Sequence, residues 1–394
     1  MNYFQIWGIG FILTLSLSLS AQQVPDTGYV AHWNHPPYAM GEGPVVGVDG
    51  AHNNFHKLNA GFRAFGNVAE AGGFRVVSVD ESFTEESLSD LDILVIANPL
   101  HASNLGNWQL PCPSAFTAFE IKAVDRWVKN GGRLILIADH MPFGGAAYDL
   151  GMNFGIEWEN GFASIESGGF GDLFTDHFAP FTNADSINSI RTFTGSAMSS
   201  NRADVYPIII LSEGTLNLPT IAWNFDSLNT AKPLAGYYQG CWTRAEKGIV
   251  VCLGEAAGLT SQLVGPEEYP VGISTPRVGG NLGFIQDMLI SLAPENDDFM
   301  EALGWLRYRE KTTKVGDIPF RFQVIDWQRQ PDGHIMLSGE IIGSAVSFEE
   351  NEEDYFVVEV GPMESDDPNY DDRFSRWRQV SEFTFSREPI VYPD

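Results

Sequence analysis

Four apolar runs in this chain each break off at a polar or ionisable cluster. VVGVD ends at Asp49, with His52 and His56 just beyond it. ILVIAN ends at Asn98, followed by His101. LILIAD ends at Asp139 and His140, and IVVCLG is followed by Glu255. Short runs that are apolar at nearly every position, rather than at alternate ones, read as strands buried on both faces of a parallel sheet. In open α/β sheets, ligands bind beyond the carboxyl ends of the strands. The pattern therefore predicts that the polar residues after these four runs line one cleft.

The intervening segments support this reading. Residues 22–44 are rich in Pro, Gly and aromatics and read as an extended lead-in to the first strand, Val45–Asp49. Phe55, Leu58, Phe62, Phe65 and Ala69 recur at helical spacing, with Asn53 or Asn54 as the N-cap and Gly72 and Gly73 as the stop. Strands are expected at 74–79, Ile93–Ala97 and 133–139, with a helix over 118–128 between the last two. This alternation predicts a doubly wound α/β fold, with a mostly parallel sheet covered by helices on both faces. The stretch 141–201 is rich in Gly and aromatics and weakly periodic, so loops and short elements over the strand ends are expected there. Further strands follow at 208–211, 220–223, 234–242 and Gly248–Leu253, some of them antiparallel, and then helices over 282–292 and 298–309. From about Lys314, FRFQVIDW, HIMLSGEII and YFVVEV read as strands of a small acidic β unit. The expected division is a signal peptide over 1–21, an α/β domain over 22–312 and the β unit over 313–394.

Composition narrows the partners. Lys and Arg total 23 against 51 Asp and Glu, a formal charge of −28. Such a surface repels nucleic acid and anionic lipid at long range. A small-molecule or carbohydrate ligand is expected instead. The apolar and hydroxylic stretch 4–19, followed by SLSA and Gln22, resembles a secretory signal, although no Lys or Arg precedes it. Export to the periplasm or beyond is expected, with no membrane span after its removal. Three cysteines are too few for a disulfide scaffold. A hairpin centred on AEKG would set Cys241 opposite Cys252, either as a bridge or as two core thiols. Cys112, between Pro111 and Pro113, reads as a loop residue.

The stretches VDGAHNNFH, LDILVIANPLH, ADHMPFGGAA, TDHFAPFT with RTFTGSAM, and GEAAGLTSQLVGP occur in this order. Together they resemble a family of mostly uncharacterised bacterial proteins with a class I glutamine amidotransferase-like, flavodoxin-like fold, over residues 45–292. The resemblance implies a fold and no particular activity. Amidotransferases of this class carry a nucleophilic cysteine on a sharp turn after a central strand. Here the turn after Ile93–Ala97 reads Asn98, Pro99, Leu100, His101, so thiolate-dependent glutamine hydrolysis is not expected.

Two kinds of chemistry suit the strand-end residues. His52 and His56 would share one face of a first helical turn, a spacing at which imidazoles hold metals. Asp49, Asp139, His140, His177 and Glu255 can complete such a site for a divalent metal such as zinc, with His52, His56 and His140 as the nitrogen ligands. The competing role for each is an ordinary buried hydrogen bond. Without a metal, Asp139 or Glu255 beside His52 or His140 makes an acid–base pair. The expected catalytic set is His52, His56, Asp139, His140 and Glu255. The expected ligand-binding set is Asp49, Asn54, Asn98, His101, Phe143, His177 and Gln262. The glycines of the Met141–Gly145 loop allow close approach of a ligand, and equally suit a tight turn. Phe154, Trp158, Phe162, Phe170, Phe174 and Phe178 can stack on a sugar or fill a core. The acidic cluster at 366–372 reads as a solvated turn, or as a calcium loop without EF-hand spacing. No Gly-x-Ser-x-Gly elbow occurs, which argues against a serine α/β-hydrolase. The function expected is hydrolysis or rearrangement of a small neutral ligand such as a sugar. The alternative is a non-catalytic module that binds a ligand or partner.

Overall fold

In the computed structural model, described residues run from 23 to 294 apart from 27, 166–172, 177–188, 193, 203, 212–214, 220–230 and 276–279. Beyond 294 they comprise the strand segments 314–315, 318–319, 321–329, 335–342 and 355–360. The expected signal peptide, the strand at 220–223, His177, Phe170, Phe178, the helix over 298–309 and the acidic cluster at 366–372 lie outside them.

A nine-stranded sheet dominates the molecule. Its strands are β1 (Val45–Asp49), β2 (Arg75–Val79), β3 (Ile93–Ala97), β4 (Arg133–Ile137), β5 (Glu157–Glu159), β6 (Ala197–Ser199), β7 (Val205–Ile210), β8 (Tyr238–Ala245) and β9 (Gly248–Leu253). Their spatial order is β2-β1-β3-β4-β9-β8-β6-β5, with β7 also paired to β8. The pairings of β2, β1, β3, β4 and β9 are parallel. Those of β9 with β8, of β8 with β6 and β7, and of β6 with β5 are antiparallel. Every residue of β1, β3, β4 and β9 is buried, as the unbroken apolar runs require.

The expected doubly wound, mostly parallel fold is therefore corrected. Half the pairings of the main sheet are antiparallel, and the other described sheets are antiparallel throughout. The chain is rich in sheet and poor in helix. The physical reason lies after β4. The tight hairpin through Glu246 and Lys247 makes β8 antiparallel to β9, whereas each parallel step needs a long crossover. Arg321–Arg329, Ile335–Ile342 and Tyr355–Val360 form a three-stranded antiparallel sheet.

Helices pack on both faces of the parallel part. Helices α1 (Arg63–Ala71) and α5 (Gly280–Ser291) cover the face formed by Val46, Val48, Val95, Ile137 and Val251. The short α2 (Glu85–Leu88), α3 (Ala118–Lys129) and α4 (Phe143–Asn153) cover the face formed by Leu94, Ile96, Leu136 and Cys252. Helix α3 starts at a capping box. Thr117 accepts from the Glu120 N–H, and Glu120 accepts in return from the Thr117 N–H. This satisfies two otherwise unpaired donors. Each fully buried Val or Phe of these faces contributes about 1.5–3 kcal/mol. Among the described residues, no helix is long and apolar enough to cross a membrane.

Two local expectations are also corrected. The first helix starts at Arg63, not near Asn53, so His52 and His56 lie on irregular chain rather than one helical face. Asn53 adopts φ +51°, and its side chain and the Phe55 N–H donate to the carbonyls of Leu100 and Asn98. These ties to the chain beyond β3 hold the segment in place of helical hydrogen bonds. The Met141–Gly145 stretch opens α4 rather than forming a loop. A Cβ on Gly145 would stand 2.6 Å from that of Cys112, so close chain packing explains this glycine.

Candidate functional site

Because β1, β3, β4 and β9 are adjacent and parallel, Asp49, Asn98, Asp139 and Glu255 all emerge along one carboxyl edge. Their side chains then diverge into separate groups. The expected single cluster becomes a clamp, a central polar group and a small inner cavity.

The clamp is centred on His52, which is 7% exposed. Its Nδ1 donates to both Asp49 carboxylate oxygens, at 3.0 and 2.9 Å, and its Nε2 donates to Glu120 Oε1 at 2.9 Å. Both ring nitrogens must carry protons to donate in both directions, so the geometry demands an imidazolium. Burial is the largest single influence on His52 and lowers its pKa, but hydrogen bonds and charge from Asp49 and Glu120 together raise it. For Glu120, burial pushes upward, yet the bonds from His52 and Thr117 bring it down to about 2. Phe83 and Phe116 pack on the ring, with centroids 4.4 and 4.8 Å away. This arrangement ties the end of β1 to the start of α3. Both ring nitrogens of His52 are thereby engaged by carboxylates.

A central group of buried polar residues lies beyond the carboxyl ends of β3 and β4. Asn98 has φ +56°, a left-handed conformation that asparagine tolerates better than most residues. Its Oδ1 accepts from the Asp139 N–H at 2.8 Å, and its amide reaches Asp139 Oδ2 at 3.5 Å. Asp139 Oδ1 accepts from the His140 N–H at 2.9 Å. His56, buried beside Phe62, is lowered to about 4 by burial, against an opposing pull from the Asp139 charge. Gly61 makes room for it, since a Cβ there would lie 2.2 Å from His56 Nδ1. Asn54 is 4% exposed, and neither its amide nitrogen nor its oxygen has a hydrogen-bond partner among the described residues.

An aromatic wall borders this group. The His140 ring lies parallel to Phe162 at 4.5 Å and near Trp108 and Phe143 at 5.7 and 5.8 Å. Its Nδ1 donates to the Met141 carbonyl at 2.7 Å. Phe55 is half-exposed and touches His56, Trp108 and Phe143. Of the aromatics expected near the site, Phe162 is thus part of the wall. Phe154 and Trp158 are core residues instead.

The remaining expected residues lie elsewhere. Glu255 Oε1 accepts from the Ala257 N–H at 2.6 Å and faces a cavity of about 10 Å³. Thr192, Gln239, Asn281 and Phe284 also line it, and its volume is about that of one water. Gln262 donates to Thr260 Oγ1 within the sheet formed with Gln23–Pro25. His101 accepts from the Ser103 N–H and caps a short turn. Among the described residues, no three His, Cys, Asp or Glu side chains gather in a metal-binding arrangement. Sequence reasoning missed Glu120, whose T-x-x-E spacing marked a helix start, and Trp108 and Phe55, which had no signal beyond being aromatic.

No protein-family model and no curated protein matches this chain. The mixed sheet corrects the resemblance to a glutamine amidotransferase-like family with a flavodoxin-like fold. Among solved structures, the chain is similar to the mmIFT52 N-terminal domain, at 10% identity and a TM-score of 0.40, covering 69% of this chain and 100% of that one. It is similar to a ThuA-like protein from Bacteroides uniformis, at 13% identity and a TM-score of 0.38, over 69% of this chain and 100% of that one. A β-galactosidase from Bacillus circulans gives 10% identity and a TM-score of 0.36, over 76% of this chain and 35% of that one. Likenesses at this level decide neither family nor activity.

Proposed function

We propose that the chain binds a small neutral polyhydroxylated ligand, such as a sugar, over the carboxyl ends of β3 and β4. Asn54 carries this reading. A buried amide with two unmet hydrogen-bonding atoms costs about 1–3 kcal/mol, and such groups in native structures call for an explanation. A ligand hydroxyl can donate to its oxygen and accept from its nitrogen. The Asp139 carboxylate supplies further acceptors, and a neutral His56 avoids presenting a second buried charge. Half-exposed Phe55 and partly buried Trp108, backed by Phe143 and His140, offer apolar surface on which a sugar ring packs. Residues 1–21 support export, so the ligand would be met outside the cytoplasm.

Hydrolysis or rearrangement of that ligand is the second reading. The juxtaposition of Asp139 and His56 favours it, with Asp139 accepting a proton from water or a hydroxyl. The test is calorimetric titration of the full chain with a panel of neutral mono- and disaccharides. Binding by the wild type with a tenfold or greater loss in Asn54→Leu is expected. No binding by any member, with only an ordered water on Asn54 in a crystal structure, would overturn the proposal. Product formation abolished in Asp139→Asn, with binding retained, would establish turnover.

A further inference from the structure

We propose that Cys241 and Cys252 form a site for a structural disulfide across the β8–β9 hairpin. The two residues are directly opposed in the antiparallel register. Opposed residues on antiparallel strands have Cα atoms about 4.5–5.5 Å apart. That lies within the span of roughly 4.4–6.8 Å that a disulfide bridges. Opposed side chains also point to the same face, and both cysteines lie, fully buried, in the core beneath α3 and α4. The two-residue connection Glu246–Lys247, with Glu246 at φ +52°, pins this register. A slip that separated the pair would turn every buried residue of β9 to the wrong face.

The structure holds both residues as thiols. Burial and the neighbouring Cys241 raise the Cys252 thiol well above its usual pKa, so in the folded protein it stays protonated and unreactive. The bond therefore forms while the hairpin is still uncovered. One thiolate attacks the disulfide of a small oxidant such as glutathione disulfide and releases one glutathione thiolate. The second thiolate attacks the resulting mixed disulfide and releases the other. Two protein thiols are oxidised and one glutathione disulfide is reduced to two thiols. Once α3 and α4 close over it, the bond is shielded from reductant. Its place is notable, because β9 is the last parallel strand and β8 the first antiparallel one. The bridge would lock the junction of the two halves.

The test is refolding of the reduced, unfolded full chain in a glutathione redox buffer, then alkylation under denaturing conditions and peptide mapping. Most molecules are expected to be lighter by two hydrogens, with the Cys241 and Cys252 peptides joined and Cys112 outside the bridge. A Cys112→Ser chain, which keeps the core pair intact, should give the same linkage. The oxidised form should unfold at higher urea than the reduced form, and its bridge should resist dithiothreitol until the chain is unfolded. Alkylation of both core thiols, a bridge to Cys112, or an oxidised form less stable than the reduced one would each overturn the proposal.

Discussion

His52 and His56 flank the turn at Asn53–Phe55 and are almost equally sealed from water, at 7% and 5% exposure. Their proton affinities nevertheless move in opposite directions. Burial acts on both rings and disfavours the charged form. At His52, two carboxylates accept from the two ring nitrogens and overturn that penalty. At His56, only the charge of Asp139 opposes it, and burial prevails. Depth alone thus says little about a histidine's role. The partners at each nitrogen separate a charged histidine from a neutral one.

The largest expected effect is at the clamp. Glu120→Ala removes one partner of a buried charge and half of the α3 capping box, and should destabilise the fold by about 3–5 kcal/mol in urea unfolding. A loss below about 1 kcal/mol would show that His52 does not need the second carboxylate, and the contrast with His56 would collapse.

The pH dependence of stability should resolve the two rings. The folded pKa of His56 is about 4, below its usual 6.5. Between these values the unfolded chain binds a proton that the folded chain refuses, so stability falls as the pH drops. The loss amounts to at most about 3 kcal/mol across the window. His52 has a raised folded pKa, so its contribution is present below 6.5 and is lost as the pH rises through the folded value. Glu120, depressed to about 2, adds a further loss as the pH falls from about 4.5 towards 2. His56→Phe should flatten the limb between pH 6.5 and 4, and His52→Gln the alkaline limb. If both substitutions altered the same limb, the assignment of opposite shifts would be wrong.

Asn54→Leu should leave the unliganded protein as stable as the wild type, or more stable by about 1–3 kcal/mol, because it removes two unmet polar atoms. Marked destabilisation would instead reveal a structural hydrogen bond and would weaken the ligand reading. The smallest effect is expected at Phe55, half-exposed on the wall. Phe55→Ala should change stability by less than about 1 kcal/mol while weakening sugar binding by roughly the value of one aromatic contact, 0.5–1.5 kcal/mol. Unchanged affinity would remove Phe55 from the proposed ligand surface.

The unbroken apolar runs made β1, β3, β4 and β9 legible, because strands buried on both faces admit almost no polar residue. The same runs located the carboxyl edge on which Asp49, Asn98, Asp139 and Glu255 emerge. The antiparallel half was much less legible. Short apolar segments such as Val205–Ile210 and Tyr238–Ala245 carry no mark of which neighbour they pair with or in which direction. The first helix was read one turn or more too early. Phe55 and Leu58 keep helical spacing, but tertiary hydrogen bonds to Asn98 and Leu100 claim that segment.

The division of the polar edge depended on contacts distant in sequence. The sequence by itself determined which residues would be buried and that several would be ionisable, since hydrophobic patterning is local and strong. The tertiary structure decided that Glu120 would come to His52 across 68 positions, while Asp139 would meet His56 and Glu255 would face its own cavity. Hydrogen bonds and charges act over a few ångströms of space, whatever the separation along the chain, and that is why only the folded molecule could assign the two histidines their different states.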